Sequence, residues 1–172
     1  MPDTPVPDPR ALRRALGMFA TGITIVTATE KRARGNGRHV GMTVNCFASV
    51  SLDPPLILWS LQKDSSEFDL FRHCDYFAVN VLASDQLELC RHFANKNENR
   101  FEGLDFGMGE FGAPVFEGCC ALFECRNFHH HDGGDHVIFI GRIERFERHE
   151  REPLVFHGGH YRALKRSTPP LD

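Results

Sequence analysis

The stretch "GMTVNCFASVSLDPP" (Gly41–Pro55) alternates apolar and polar residues for most of its length, and that period commits the segment to a sheet. One row is Met42, Val44, Cys46, Ala48, Val50 and Leu52, the buried side expected of a half-covered strand. The other row is Thr43, Asn45, Phe47, Ser49, Ser51 and Asp53. A face that simply meets water usually carries Lys, Glu or Arg, yet this one offers short uncharged donors and acceptors around one ring. Two readings fit it: a barrel interior with locally satisfied hydroxyls, or the wall of a site for a flat heteroaromatic ligand that needs edge hydrogen bonds and face contact. The stretch is long for one strand, so a bend or break is expected within it, and Asp53-Pro54-Pro55 ends it because proline cannot donate to a ladder.

The remaining chain is punctuated in the same way. A helix is expected from Asp8-Pro9, with Leu12, Ala15, Leu16 and Phe19 as its apolar stripe. "GITIVTAT" is a β-branched strand, and "EKRARGNGRH" an exposed hairpin connection. "LILWSL" and "YFAVNV" are expected as central strands buried on both faces. "SSEFDLFRH" lies between them as a short helix with Phe68 and Phe71 inward, and "SDQLELCRHFA" is a second helix capped by Ser84. The polar, glycine-rich "NKNENRFEGLDFGMGEFGAP" is long enough to suspect function. Two long strands, "VFEGCCALFECRNF" and "HVIFIGRIERFE", are joined through "HHHDGGD" with Gly133-Gly134 as the turn, and "LVFH" with "GHYRAL" form a last pair. About seven strands against three or four short helices favour a barrel or sandwich over a doubly wound parallel sheet. The expectation is one mainly β domain over residues 9–166, with a loose arm over 1–8 and a tail over 167–172.

Composition excludes several classes. A net charge of −3, with Arg scattered beside acids as in "RIERFERHERE", gives no basic patch for nucleic acid. No apolar run approaches the roughly 20 residues of a membrane span, and "MPDTPVPDPRALRR" lacks the order of a secretory signal, so a cytoplasmic protein is expected. Cys46, Cys74, Cys90, Cys119, Cys120 and Cys125 show no C-x-x-C spacing and are expected as reduced core thiols.

Three further features admit a chemical role. In "SLQKDSS", Lys63 before Ser65 and Ser66 suits a phosphate seat at a helix start, or else an ordinary capped surface helix. Neither a P-loop nor a G-x-G-x-x-G fingerprint is present. In "HHHDGGDH", adjacent histidines on a strand point to opposite faces and fit no zinc spacing, so no metal is expected. In "RHFANKNENRF", Lys96 and Arg100 are placed for an anionic ligand, with Phe93 at a helix end.

The order of "FATGITIVTA", "GMTVNCFASVSLDPPLILWSL", "KDSS", "HFANKNENRFEG", "GAPVFEGCCALFEC", "GGDHVIFIGRIERF" and "PLVFHGGHYRAL" resembles the short-chain flavin reductases, small components of two-component flavin-dependent monooxygenases. The resemblance covers roughly residues 10 to 165. It implies an FMN-binding split β-barrel with a few short flanking helices, a homodimer, and reduction of exchangeable FMN or FAD by NADH or NADPH, with reduced flavin released to a partner oxygenase. By the same resemblance Thr43, Asn45, Cys46, Phe47 and Ala48 lie along the flavin ring, and Gln62, Lys63, Ser65 and Ser66 meet ribityl and phosphate. Phe93 flanks the place where nicotinamide approaches, Lys96 and Arg100 contact phosphate, and His136 faces the nicotinamide as the catalytic-site histidine. Cys46 departs from the serine or threonine common in the family, and a thiol is a weaker donor. The "HHH" run has no counterpart in the pattern. Other readings of the same residues are a non-redox flavin-binding or storage protein, a metal enzyme built on the histidines, and a heme-binding split barrel.

Overall fold

The computed structural model describes residues 8–30, 37–95 and 100–164. Most of the N-terminal arm, the middle of the "EKRARGNGRH" connection, Lys96 and the C-terminal tail lie outside the described residues. Helices are few and short: α1 (Pro9–Leu16), α2 (Phe68–His73) and α3 (Leu87–Ala94). The main sheet contains β2 (Thr24–Thr29), β3 (His39–Val44), β4 (Ala48–Leu52), β5 (Pro55–Gln62), β6 (Tyr76–Val81), β9 (Ala121–Gly133) and β10 (His136–Arg148). Its order is β3-β2-β6-β9-β10-β5-β4, and every neighbouring pair is antiparallel. A smaller sheet joins β1 (Thr21–Gly22), β11 (Leu154–His157) and β12 (His160–Ala163), and β7 (Gly107–Met108) pairs with β8 (Pro114–Val115).

The seven-stranded sheet wraps one core. Val26, Val40, Ile57, Trp59, Phe77, Val79, Cys125, Val137 and Phe139, contributed by six of its strands, are all buried in one cluster. The terminal strands β3 and β4 are joined in sequence but do not pair, so the expected mainly β architecture with short flanking helices is present as an open barrel. Strand β6 is buried on both faces as expected, whereas β5 buries alternate residues only, because it lies one strand in from the sheet's edge.

The Gly41–Pro55 stretch breaks between Val44 and Ala48. Across the break Phe47 leaves the row of Thr43 and Asn45; its ring stacks on Phe123 at 5.7 Å and joins the core. The alternation therefore fails as a guide at that one residue, since the change of direction resets which face it meets. The apolar row is not buried in β4 either: Val50 and Leu52 are 48% and 94% exposed. Among the described residues β4 pairs only with β5, with a register shift between Ser49 and Ser51, and it is an edge strand of the sheet.

Other expectations need correction. Asp8 caps α1 by accepting from Arg10 N–H at 3.1 Å, but no residue of α1 is buried and its stripe faces outward. Ser84 does not cap α3; Gln86 occupies that position, and its side chain instead accepts from Ala83 N–H at 2.9 Å. The histidine run is not a loop but part of β9, and the turn falls at Gly134-Asp135, with Gly134 at φ +75° as a two-residue hairpin with glycine first requires. Gly158 and Gly159, both with positive φ, close the β11–β12 hairpin as expected. All six cysteines are free. Burial pushes the Cys74 thiol up to about 12 and Cys119 to about 11, which keeps both as unreactive thiols. Among the described residues no helix is long and apolar enough to cross a membrane.

Candidate active site

Strand register assembles one functional face. In β5, Ile57, Trp59 and Leu61 point into the core, so Leu58, Ser60 and Gln62 point out. Residues directly opposite in an antiparallel pair share a face. Gln62 pairs with His136 and Leu58 with Ala48, which sets His136 and Ala48 on that same outer face. The four steps from Leu58 to Gln62 separate the ends of this strip by about 13 Å. His136 and Gln62 thus stand at one end of this strip and Ala48 at the other, on one face although far apart in sequence.

Cys46 sits where the chain leaves β3 for β4. Its Sγ accepts the Ser60 N–H at 3.2 Å and donates to the Ser60 carbonyl at 3.3 Å. The thiol is therefore committed to fastening the break onto β5. A hydroxyl at this position could make the same pair of bonds. Ser60 was not singled out from sequence, because a bond across 14 positions leaves no local trace.

Beside the break, Thr43, Val44 and Asn45 line a groove of about 280 Å³ with Ile23, Phe156 and Tyr161. Thr43 Oγ1 donates to the Cys90 carbonyl at 2.7 Å, leaving its oxygen as an acceptor toward the groove, and the exposed Asn45 amide offers both donor and acceptor. Phe156 and Tyr161, ring centroids 5.6 Å apart, form an aromatic wall carried by the small sheet. That sheet is held to the barrel by Leu82 N–H on the Ile23 carbonyl and Leu154 N–H on the Leu82 carbonyl, both at 2.9 Å. Ile23, Phe156 and Tyr161 were not anticipated either; the tyrosine two residues after a Gly-Gly turn was the one local signal. Neutral hydrogen-bonding groups at one edge and rings at another fit a planar heterocycle. The volume lies near the lower end for ligand pockets, so a large coenzyme would extend over the open face.

At the far end of the strip, Lys63 Nζ pairs with Asp132 at 2.9 Å and Lys63 N–H donates to the Asp135 carbonyl at 3.0 Å. His136 Nδ1 lies 2.7 Å from Asp135 Oδ1. "SLQKDSS" and "GGDH" are thus one corner of the molecule.

Other expected site residues are placed differently. Ser65 is spent on its own turn: Oγ accepts from Glu67 N–H at 3.3 Å and its carbonyl from Phe68 N–H at 3.0 Å. Ser66 lines a separate cavity with Thr29, Arg38, His73 and the carboxylates Glu30, Asp69 and Asp75, acidic surroundings that do not favour phosphate. Phe93 is 1% exposed and packs against Phe101 and Phe116 at 5.2 and 5.3 Å, so it supports β3 from behind instead of presenting a ring face. Arg100 Nη1 donates to the Gly41 carbonyl at 2.6 Å, and its buried Nε finds no partner among the described residues. Lys96 lies outside the described residues.

The histidine run makes no chelate. His130 turns its ring edge to Phe139 at 4.8 Å and bonds Asn127 Oδ1 at 2.8 Å, while His129 and His131 are exposed. Among the described residues no group of three His, Cys, Asp or Glu side chains is placed to hold one metal ion.

Residues 16–165 match the family model of the flavin reductase like domain. The chain belongs to this family. A flavin reductase-like relative from Agrobacterium fabrum, named FMN reductase (NADH) SmoA, is 45% identical over 157 residues, covering 91% of this chain and 87% of its own. A Rhodococcus jostii protein named flavin-dependent monooxygenase, reductase subunit HsaB, is 36% identical over 159 residues, covering 92% and 79%. The chain spans about half, 48%, of a probable flavin reductase from Rhizobium meliloti to which it is 43% identical, covering 90% of this chain. Among solved structures, the NADH:FAD oxidoreductase SgcE6 of Streptomyces globisporus, in complex with NAD and FAD fragments, superposes with a TM-score of 0.86 at 36% identity, covering 96% of this chain and all of that one.

Proposed function

We propose that this protein is an NAD(P)H-dependent flavin reductase that reduces FMN or FAD and passes the reduced flavin to a partner monooxygenase. The observation that carries the proposal is the single outer face formed by Ala48, Ser60, Gln62 and His136, continuous in sequence, through Cys46 and its bonds to the Ser60 backbone, with the Thr43–Asn45 groove. The names of the relatives, among them reductase components of monooxygenases, support the same reading. Bound flavin supplies the redox chemistry itself, taking hydride from reduced nicotinamide.

The chain's residues then bind, orient and let go. Asn45 and the Thr43 oxygen satisfy the polar edge of the ring, and Phe156 and Tyr161 bound its apolar side. Among the described residues no cation lines that groove, so a reduced, anionic ring is not held too tightly there for a carrier that must leave. Gln62 is available to the ribityl-phosphate arm, Lys63 can meet the phosphate from its exposed pair with Asp132, and His136 positions the nicotinamide without serving as a base. His136→Ala is expected to raise KM for the nicotinamide cofactor about tenfold, the loss of one hydrogen bond of roughly 1.4 kcal/mol, with a smaller change in kcat. An equal fall in kcat and kcat/KM with KM unchanged would contradict that role.

The function is tested by initial rates with NADH and NADPH crossed against FMN and FAD, followed at the ultraviolet band of the reduced nicotinamide. Catalytic turnover is the expected result, and stoichiometric loss would instead assign a flavin-binding protein.

A homodimer is part of the same proposal, supported by apolar residues left exposed among the described residues. Leu12, Leu16 and Phe19 are 47%, 67% and 77% exposed along and just beyond α1, and the apolar edge of β4 is bare. Such patches are uncommon on monomers. Sedimentation equilibrium is expected to give the mass of two chains; a single-chain mass at micromolar concentration would overturn the dimer.

A further inference from the structure

The corner that holds His136 contains a carboxylate with no role in the reading above. His136 opens β10 on the outer face, and its Nδ1 meets Asp135 Oδ1 at 2.7 Å. Asp135 is itself fixed from two sides. Its carbonyl accepts the Lys63 N–H at 3.0 Å, and it follows Gly134, whose φ of +75° makes the tight turn. Asp132, on the other limb of the hairpin, holds Lys63 Nζ at 2.9 Å. The turn is thus tied to the end of β5 by both limbs, and the carboxylate reaches the imidazole from a set direction.

The hydrogen bond from His136 and the histidine's charge hold the Asp135 carboxyl below its ordinary range, so it is ionised at neutral pH. An ionised carboxylate only accepts. A neutral imidazole bonded to it must therefore carry its hydrogen on Nδ1 and leave Nε2 as a bare acceptor. A histidine side chain in water prefers the opposite, Nε2–H tautomer, so without Asp135 the outward nitrogen would present a hydrogen.

We propose that Asp135 is the positioning residue for His136, fixing its ring direction and tautomer so that Nε2 accepts from the carboxamide N–H of the reduced nicotinamide. The proposal rests on the assignment of His136 to the nicotinamide. It goes beyond that assignment by stating which nitrogen acts, in which form, and what enforces it. The arrangement is that of carboxylate–histidine pairs at metal and catalytic sites, where the partner on one nitrogen decides the chemistry of the other.

Asp135 has 82% of its side chain exposed, so substitution leaves the fold intact. The test compares wild type with Asp135→Ala and Asp135→Asn by imidazole nitrogen NMR and steady-state kinetics at saturating flavin. Wild-type neutral His136 is expected as the Nδ1–H form. In Asp135→Ala the Nε2–H form should predominate and KM for the nicotinamide cofactor rise about threefold, with kcat within about twofold. Asp135→Asn keeps an acceptor oxygen and should retain most of the tautomer preference and the wild-type KM. An unchanged tautomer in Asp135→Ala overturns the proposal. So does a changed tautomer with unchanged KM, provided His136→Ala does raise KM. If His136→Ala also leaves KM unmoved, the assignment of His136 falls and takes this proposal with it, a failure that the His136 variant alone identifies.

Discussion

Trp59→Ala is expected to destabilise the protein by about 3–5 kcal/mol, a large share of the 5–15 kcal/mol typical of a domain. Trp59 is fully buried on the inner face of β5. Its ring stacks on Phe139 at 4.7 Å and meets Phe71 and Phe77 edge-on at 5.0 and 5.8 Å. Those partners come from β10, α2 and β6, so the cavity left by alanine would open between three elements at once, and close packing gives them little freedom to fill it. Trp59→Phe provides the control. The indole Nε1–H is buried with no acceptor among the described residues, and removing it relieves a desolvation cost while keeping most of the ring. The phenylalanine variant should therefore lose less than about 1.5 kcal/mol. Urea unfolding followed by circular dichroism measures both, since the protein's only tryptophan is the residue removed. Equal losses for the two variants would mean that ring volume does not control this core.

The effect would reach the site through alternation along one strand. Trp59 points in and its neighbours Leu58 and Ser60 point out, and Ser60 anchors Cys46 through both backbone groups. Repacking beneath β5 shifts the peptide that fastens the β3–β4 break. Core and candidate site are the two sides of a single strand.

That alternation is also why much of the fold was legible in the sequence. Period-two runs, β-branched residues and Gly-Gly turns are local signals, and they located β2, β5, β6, β10 and the β11–β12 hairpin. The excess length of the Gly41–Pro55 run announced its own break. The site residues named from family resemblance fared according to how local their surroundings were. Gln62 and His136 proved to be register partners, which neither segment shows alone. The burial of Phe93 had a local signal: it follows Cys90 by three positions on α3, and both are buried, as a helix stripe facing a sheet requires. What sequence could not show depends on contacts distant in the chain or on surfaces outside it. Phe47 changes face because the break turns it toward Phe123. Tyr161 lines the same groove as Asn45, more than a hundred positions away in the chain. The apolar residues of α1 and β4 have the spacing expected of a buried face, yet they are exposed among the described residues.

Gly41→Ala should cost about 1–3 kcal/mol and weaken flavin binding in the same variant, because one packing contact serves both. A Cβ at Gly41 would stand 2.6 and 2.9 Å from the Phe93 ring and 3.2 Å from Phe101. These rings are packed against Phe116 and cannot retreat singly, so α3 must move away from β3. That displacement withdraws the Cys90 carbonyl from the Thr43 hydroxyl and loosens Arg100 from the Gly41 carbonyl. Thr43 would then lose the bond that orients it toward the groove. The cause can be isolated with Phe93→Leu, whose smaller side chain makes room for the methyl group. In Gly41→Ala/Phe93→Leu the combined loss should be smaller than the sum of the single losses, by more than about 0.5 kcal/mol. Strict additivity in urea unfolding would place the strain elsewhere. Weakened flavin binding without any loss of stability would mean that Gly41 meets the coenzyme directly and not through α3.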